Sequence, residues 1–125
     1  MAGLGRAFVR EGVRWGYDGR LLVALAYAET EAGKYPPSQA KHNPFGWGAD
    51  GGRVPGGVTF PSWEAAIKTV ARGVRRGYID RGQDTIATMA DQWLGREDDL
   101  AQWIYNVRWV YRHLGGTHPI VKEGG

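Results

Sequence analysis

Leu21-Leu-Val-Ala-Leu-Ala-Tyr-Ala-Glu29-Thr-Glu-Ala-Gly33 is the stretch on which the reading of this chain turns. Leu22, Leu25 and Glu29 recur at i, i+3 and i+7, so a helix of about residues 19–32 places the Glu29 side chain on the stripe that faces the core. Burying a carboxylate is costly, and such a group either finds hydrogen bonds or holds a proton. Glu31, two residues on, points to the other side of the helix. On this helix alone two readings stand: a core carboxylate paired with an arginine such as Arg108 or with a tyrosine hydroxyl, and a catalytic acid. Asp18 offers the helix an N-cap, Gly33 a left-handed stop, and Pro36 and Pro37 a break.

Composition narrows the classes around that helix. With 125 residues the chain forms a single domain, residues 1–125, able to bury a core without staples. It has no cysteine and three scattered histidines, so neither a disulfide framework nor metal-ligand spacing is present, and no metal or cofactor is expected. The net charge is +3, with twelve arginines among the sixteen basic residues, which favours anionic partners such as wall polymers, membranes or nucleic acid without choosing among them. No apolar run is long enough to span a bilayer, and the N-terminus lacks the apolar segment of a signal peptide. A protein of this kind acting outside the cell would be released by another route. Six tryptophans and six tyrosines exceed what so small a core needs, and some are expected to line a groove.

The remaining pattern is helical with one long interruption. Residues 1–17 read as an N-terminal extension, a weakly periodic segment around Phe8, Val9, Val13 and Trp15 that packs as a short helix on the body. From Lys34 to Pro61 glycine and proline punctuate a loop, with Arg53-Val54 and Val58-Thr59-Phe60 as the arms of a small hairpin. Its interleaved aromatics argue that the loop is ordered. Ser62 caps a helix that runs to Gly77 with Ile67, Val70, Ala71 and Val74 inward. Tyr78 to Gly82 makes a turn, and Asp84 or Thr85 caps a helix bearing Ile86, Met89, Ala90 and Trp93. Glu97-Asp98-Asp99 precede a last helix with Leu100, Trp103, Ile104, Val107, Val110, Tyr111 and Leu114 on its stripe. Residues 116–125 read as a tail with little to bury.

Four blocks in this order resemble the glucosaminidase family of peptidoglycan hydrolases, the lysozyme-like domains of autolysins and phage lysins. Ala24-Leu-Ala-Tyr-Ala-Glu29-Thr-Glu-Ala-Gly33 is similar to the family's helix ending in Glu-Ser/Thr-Gly-x-Gly. Asn43-Pro-Phe-Gly46 is similar to its Asn-x-Phe-Gly turn. Phe60-Pro-Ser-Trp-Glu-Ala-Ala-Ile67 with Arg76-Gly-Tyr78 resembles its Phe/Tyr-x-Ser helix start and groove tyrosine. Tyr78-Ile-Asp-Arg-Gly-Gln-Asp-Thr-Ile86, with a tryptophan-bearing helix at Trp103, resembles the phage-associated branch. The resemblance covers about Leu21 to Leu114. It implies a mainly α, lysozyme-like helical domain with a short loop or small β-hairpin lobe beside the cleft, and Glu29 as general acid. Two positions depart from the family: Glu31 replaces a glycine, and the lobe that carries the second carboxylate in relatives is cut to residues 47–59 and holds only Asp50.

The implied chemistry is cleavage of a β-1,4 bond between amino sugars of peptidoglycan glycan strands. It needs a proton for the leaving oxygen and stabilisation of an oxocarbenium-like centre. Glu29 suits the first role. The second falls to Asp50, acting on a water, or to the substrate's own acetamido oxygen or muramyl hydroxyl, the last giving anhydro ends as lytic transglycosylases do. Tyr78, Trp47, Phe45 and Tyr35 are expected to stack on sugar rings, with core packing as the alternative for each. Asn43, beside the cleft by resemblance, suits a turn through side-chain to backbone hydrogen bonds better than contact with substrate. A non-catalytic wall-binding or assembly module is the competing reading. A nucleic-acid binder would need a helix face dense in basic side chains, which this pattern does not offer, so no nucleic-acid partner is expected. The expected protein is a monomer acting at the bacterial cell wall, alone or within a longer lysin or tail protein.

Overall fold

The computed structural model describes residues 3–30, 36–48, 56–94 and 100–121, and these residues form a mainly α domain. Its helices are α1 (Gly5–Trp15), α2 (Arg20–Thr30), α3 (Pro36–Ala40), α4 (Trp63–Gly77), α5 (Ile86–Leu94) and α6 (Leu100–His113), with a short 3₁₀ helix, Ile79–Arg81, between α4 and α5. The central helix is α2. Leu21, Leu22, Ala24, Leu25 and Ala26 have no exposed surface, a pattern apolar nearly all round that marks a helix enclosed by others. It packs on α6 and α1, while α1 also packs on α4 and α5 on α6.

Local chemistry explains where these helices begin. Asp18 Oδ1 accepts from the Arg20 amide at 3.0 Å, and Ser62 Oγ accepts from Ala65 at 3.1 Å, so both expected caps are formed. At α5 the cap is Thr85, which exchanges side-chain to backbone bonds with Thr88 in both directions. The expected stop at Gly33 and the acidic cluster before α6 lie outside the described residues. Helix α3 replaces loop where two prolines argued for a break. Its first residues are those two prolines, whose fixed φ is compatible with a helix only in its first turn.

Two terminal segments are more firmly built than their sequences suggest. In α1, Ala7 and Phe8 enter the core, and a Cβ on Gly12 would come within 2.7 Å of the Gly19 backbone. A Cβ on Gly19 would collide with the Phe8 carbonyl. These glycines, which read as interruptions, let the entry to α2 cross α1 in backbone contact. The Tyr17 hydroxyl donates to the Ala71 carbonyl at 2.8 Å and ties this corner to α4. Glu11, 1% exposed, is an unforeseen buried carboxylate. Its Oε2 lies 3.6 and 3.8 Å from Nε of Arg10 and Arg14. At the other end, residues 116–121 are not a loose tail. Ile120 is buried, its carbonyl accepts from the Asp18 amide at 2.9 Å, and Val121 pairs with Tyr17. The Tyr111 hydroxyl donates to Thr117 at 2.6 Å and also lies 3.2 Å from Asp18 Oδ2, joining α6, this segment and the start of α2.

The expected hairpin does not form among the described residues, which contain no strand; Arg53 and Val54 lie outside them. Residues 56–60 run as a loop held by Val58 N to Trp47 O at 2.9 Å and Phe60 N to Lys41 O at 2.8 Å. No helix among the described residues is long and apolar enough to cross a membrane. The α1–α2 crossing supplies the first prediction. Gly19→Ala is expected to cost about 3 kcal/mol of unfolding free energy, the upper end of overpacking, because the opposing atoms are backbone. Gly5→Ala, whose Cβ meets nothing within 4 Å, should be neutral; urea denaturation of both variants measures the difference.

Candidate active site

The last turn of α2 carries Glu29 to a point where α5 and α6 converge. Trp93, in the last turn of α5, donates its indole N–H to Glu29 Oε1 at 3.0 Å. Trp103, in the first turn of α6, donates to the same oxygen at 2.8 Å. No ion pair among the described residues includes Glu29. Arg108, the partner considered from sequence, lies on the outward side of α6. Burial pushes the Glu29 carboxyl above its ordinary value, and the two indole bonds oppose that shift without cancelling it. The indole donors favour the charged form but bring no net charge, so burial outweighs them and the carboxyl holds its proton more tightly than one in water.

Aromatic rings surround this carboxyl. Trp93 is their hub, with ring centroids 5.7 Å from Trp47, 5.8 Å from Tyr78 and 6.4 Å from Trp103. Tyr78 follows directly on α4, and burial together with the nearby Glu29 charge pushes its phenol up to about 12. The hydroxyl therefore keeps its proton at neutral pH and can donate. Trp47 reaches the cluster by lying across α4, where a Cβ on Gly73 would come within 2.7 Å of its ring. The loop bearing Trp47 is fixed by Asn43. Its Nδ2 donates to the Trp47 and Val58 carbonyls at 2.9 Å each, and its Oδ1 accepts from the Trp47 amide at 3.1 Å.

These placements sort the residues expected from sequence. Glu29, Tyr78 and Trp47 come together. Asn43 has no exposed surface, so it shapes the loop and does not reach a ligand. Phe45, 1% exposed, packs edge-on against Phe8 at 6.3 Å in the core and has no free face for a sugar. Tyr35 and Asp50 lie outside the described residues, as does Glu31. Trp93 and Trp103 are not among the site residues expected from sequence, where both fall on core stripes. A buried indole N–H needs an acceptor, and a helix-end carboxylate needs donors; matching the two by chemistry would have singled them out. Among the described residues no cluster of three or more histidine, cysteine, aspartate or glutamate side chains is placed to hold a metal.

The arrangement can hold one proton in a largely dry, aromatic setting and present it from a fixed carboxyl. Compared with known proteins, the chain matches no family model and no curated relative.

The electrostatics make a stability prediction independent of any substrate. Because the folded carboxyl titrates above 4.5, the unfolded chain loses this proton first as pH rises. The folded state is therefore favoured most below that value, and the benefit disappears as pH climbs through the folded pKa. Glu29→Gln keeps an Oε1 acceptor for both indoles but has no charge to bury. Its unfolding free energy relative to wild type should rise from about pH 4 to about pH 8; a difference that stays flat in urea titrations would show a carboxylate that ionises normally.

Proposed function

We propose that this domain is a glycoside hydrolase of the bacterial cell wall, cleaving β-1,4 bonds of peptidoglycan with Glu29 as general acid. The observation that carries this reading is a helix-end carboxyl with a raised pKa, gripped through one oxygen by two neutral N–H donors and ringed by aromatics. The resemblance of four sequence blocks to the glucosaminidase family supplies the substrate class, a lysozyme-like fold and action at the wall.

In this mechanism both indole bonds occupy Oε1, so the proton of the neutral acid resides on Oε2. From there it passes to the glycosidic oxygen as the C–O bond breaks, and the two indole donors stabilise the carboxylate left behind. Tyr78, still protonated, donates a hydrogen bond to the substrate, an acetamido oxygen being the fitting acceptor. The Trp47 ring offers a face to a pyranose. The positive charge growing at the anomeric carbon is met by Asp50 directing a water, or by the substrate's own acetamido oxygen or muramyl hydroxyl. Asp50 belongs to a glycine-rich stretch, Gly48 to Gly52, a poor platform for holding water, so the substrate-assisted route is favoured.

Glu29→Gln should reduce lysis of wall suspensions by about 10²–10⁴-fold, and Tyr78→Phe should lower turnover with little change in thermal midpoint. Asp50→Asn should cost less, about ten- to a hundredfold. Mass spectrometry of digests identifies the bond and the nucleophile: reducing ends mean water, and anhydro ends mean the muramyl hydroxyl. Trp103→Phe removes a donor that favours the ionised carboxylate, so the Glu29 pKa rises further. The alkaline limb of the kcat/KM profile should then move to higher pH while the maximum falls. An unmoved limb would reduce Trp103 to packing, and full lysis by Glu29→Gln would remove Glu29 from the chemistry.

A further inference from the structure

Helix α6 has a second face that neither the core nor the Glu29 site uses. Trp103, Val107 and Tyr111 turn inward, whereas Tyr105 is 63% and Trp109 54% exposed. Together with Arg108, Arg112 and His113 these aromatics form one open, shallow face along the helix. His113 stacks on Trp109 with ring centroids 4.8 Å apart and planes within 9°, holding the indole as a flat platform. Arg108 and Arg112 are one turn apart, about 6 Å along the axis, and neither forms an ion pair among the described residues. The sequence contains no acidic residue from Leu100 to Val121. An ordinary solvated helix face carries both signs of charge and little aromatic surface, and this one carries flat rings and positive charge alone.

Both halves of that chemistry identify the occupant. Aromatic faces stack against the C–H faces of sugar rings, and guanidinium forks donate paired hydrogen bonds to isolated carboxylates. A neutral glycan would leave the arginines without purpose. A polynucleotide presents a far denser charge, and its binders commonly neutralise about 6–10 phosphates, against two arginines and one histidine here. We infer that the outward face of α6 is a second docking site for peptidoglycan, with sugar rings on Tyr105 and Trp109 and stem-peptide carboxylates on Arg108 and Arg112. The identity of the polymer rests on the function proposed above, whereas the cationic aromatic character of the face does not. Engaging a strand there would keep the domain on an insoluble wall between cleavage events.

The test separates docking from cleavage. In the uncleaving Glu29→Gln background, the chain is sedimented with purified sacculi, with and without Arg108→Gln, Arg112→Gln and Trp109→Ala together. These side chains are exposed, and circular dichroism checks that the fold is kept. We expect the triple change to weaken sacculus binding at least about tenfold, equivalent to about 1.4 kcal/mol. In the Glu29 background the same changes should leave the hydrolysis rate of soluble, peptide-free wall oligosaccharides unchanged. On sacculi stripped of stem peptides by an amidase, Arg108→Gln with Arg112→Gln should no longer weaken binding. Equal sacculus binding with and without the triple change overturns the inference, and so does an undiminished effect of the two arginine changes after peptide removal. Tighter α6-dependent binding to single-stranded DNA or to anionic phospholipid vesicles than to sacculi also overturns it. If wild type fails to cleave the oligosaccharides while α6-dependent sacculus binding is present, the Glu29 reading fails and the docking face stands.

Discussion

A carboxylate at the end of the central, largely buried helix is the constraint around which this domain is arranged. Leu21, Leu22, Ala24, Leu25 and Ala26 of α2 are buried, and its last turn carries Glu29 to a half-buried position where water solvates a charge less than it would at the surface. A cation there would give an ordinary buried ion pair and hold the group ionised. The fold supplies indoles instead, from the end of α5 and the start of α6. They satisfy the oxygen's need for donors and leave the charge uncompensated, so hydrogen bonding and electrostatics are separated at one atom. The arrangement costs stability, because a group that resists ionisation is held where an apolar side chain would pack at no such cost.

The frame that holds this arrangement was largely legible in the sequence. Helices α2, α4, α5 and α6 announce themselves through apolar spacing, and Asp18, Ser62 and Thr85 mark their starts because a short polar side chain can close the first turn only from that position. What escaped reading depends on contacts distant in sequence. Gly12 weakens α1 as a local pattern, yet together with Gly19 at the entry to α2 it allows the two segments to touch. Ile120 lies in a short apolar run, Pro119 to Val121, too brief to announce an element, and its buried place comes from the Asp18 amide bonding its carbonyl and from the bond between Tyr111 and Thr117. The prolines of α3 were legible as a break, since sequence alone does not say whether a proline stands before a helix or in its first turn.

The site divides along the same line. Glu29 could be picked out because periodicity puts it on a buried face, and Asn43 because its side chain suits a tight turn. Their partners could not. An arginine is the natural counterpart to seek for a buried carboxylate, and Arg108 falls on the far side of α6 because the turn that points Trp103 inward points Arg108 out. Trp93 and Trp103 each look like core, and it takes the meeting of two helix ends to give both N–H groups one acceptor. Gly73, which makes room for Trp47, is silent in the sequence for the same reason. Phe45 carries the same aromatic signal as Trp47, but the turn rotates one ring against Phe8 in the core and the other against Trp93.

The shared acceptor of the two indoles has an optical corollary. Excitation of indole moves electron density from its five-membered ring toward its six-membered ring, so a negative charge placed at the pyrrole nitrogen lowers the energy of the excited state and reddens the emission. Glu29 Oε1 stands at that nitrogen in both Trp93 and Trp103, and Trp93 is also within energy-transfer reach of Trp47. Protonation of one carboxyl is thereby coupled to the colour of three of the chain's six tryptophans. The domain carries its own spectroscopic gauge of the charge state of Glu29, readable without label or substrate.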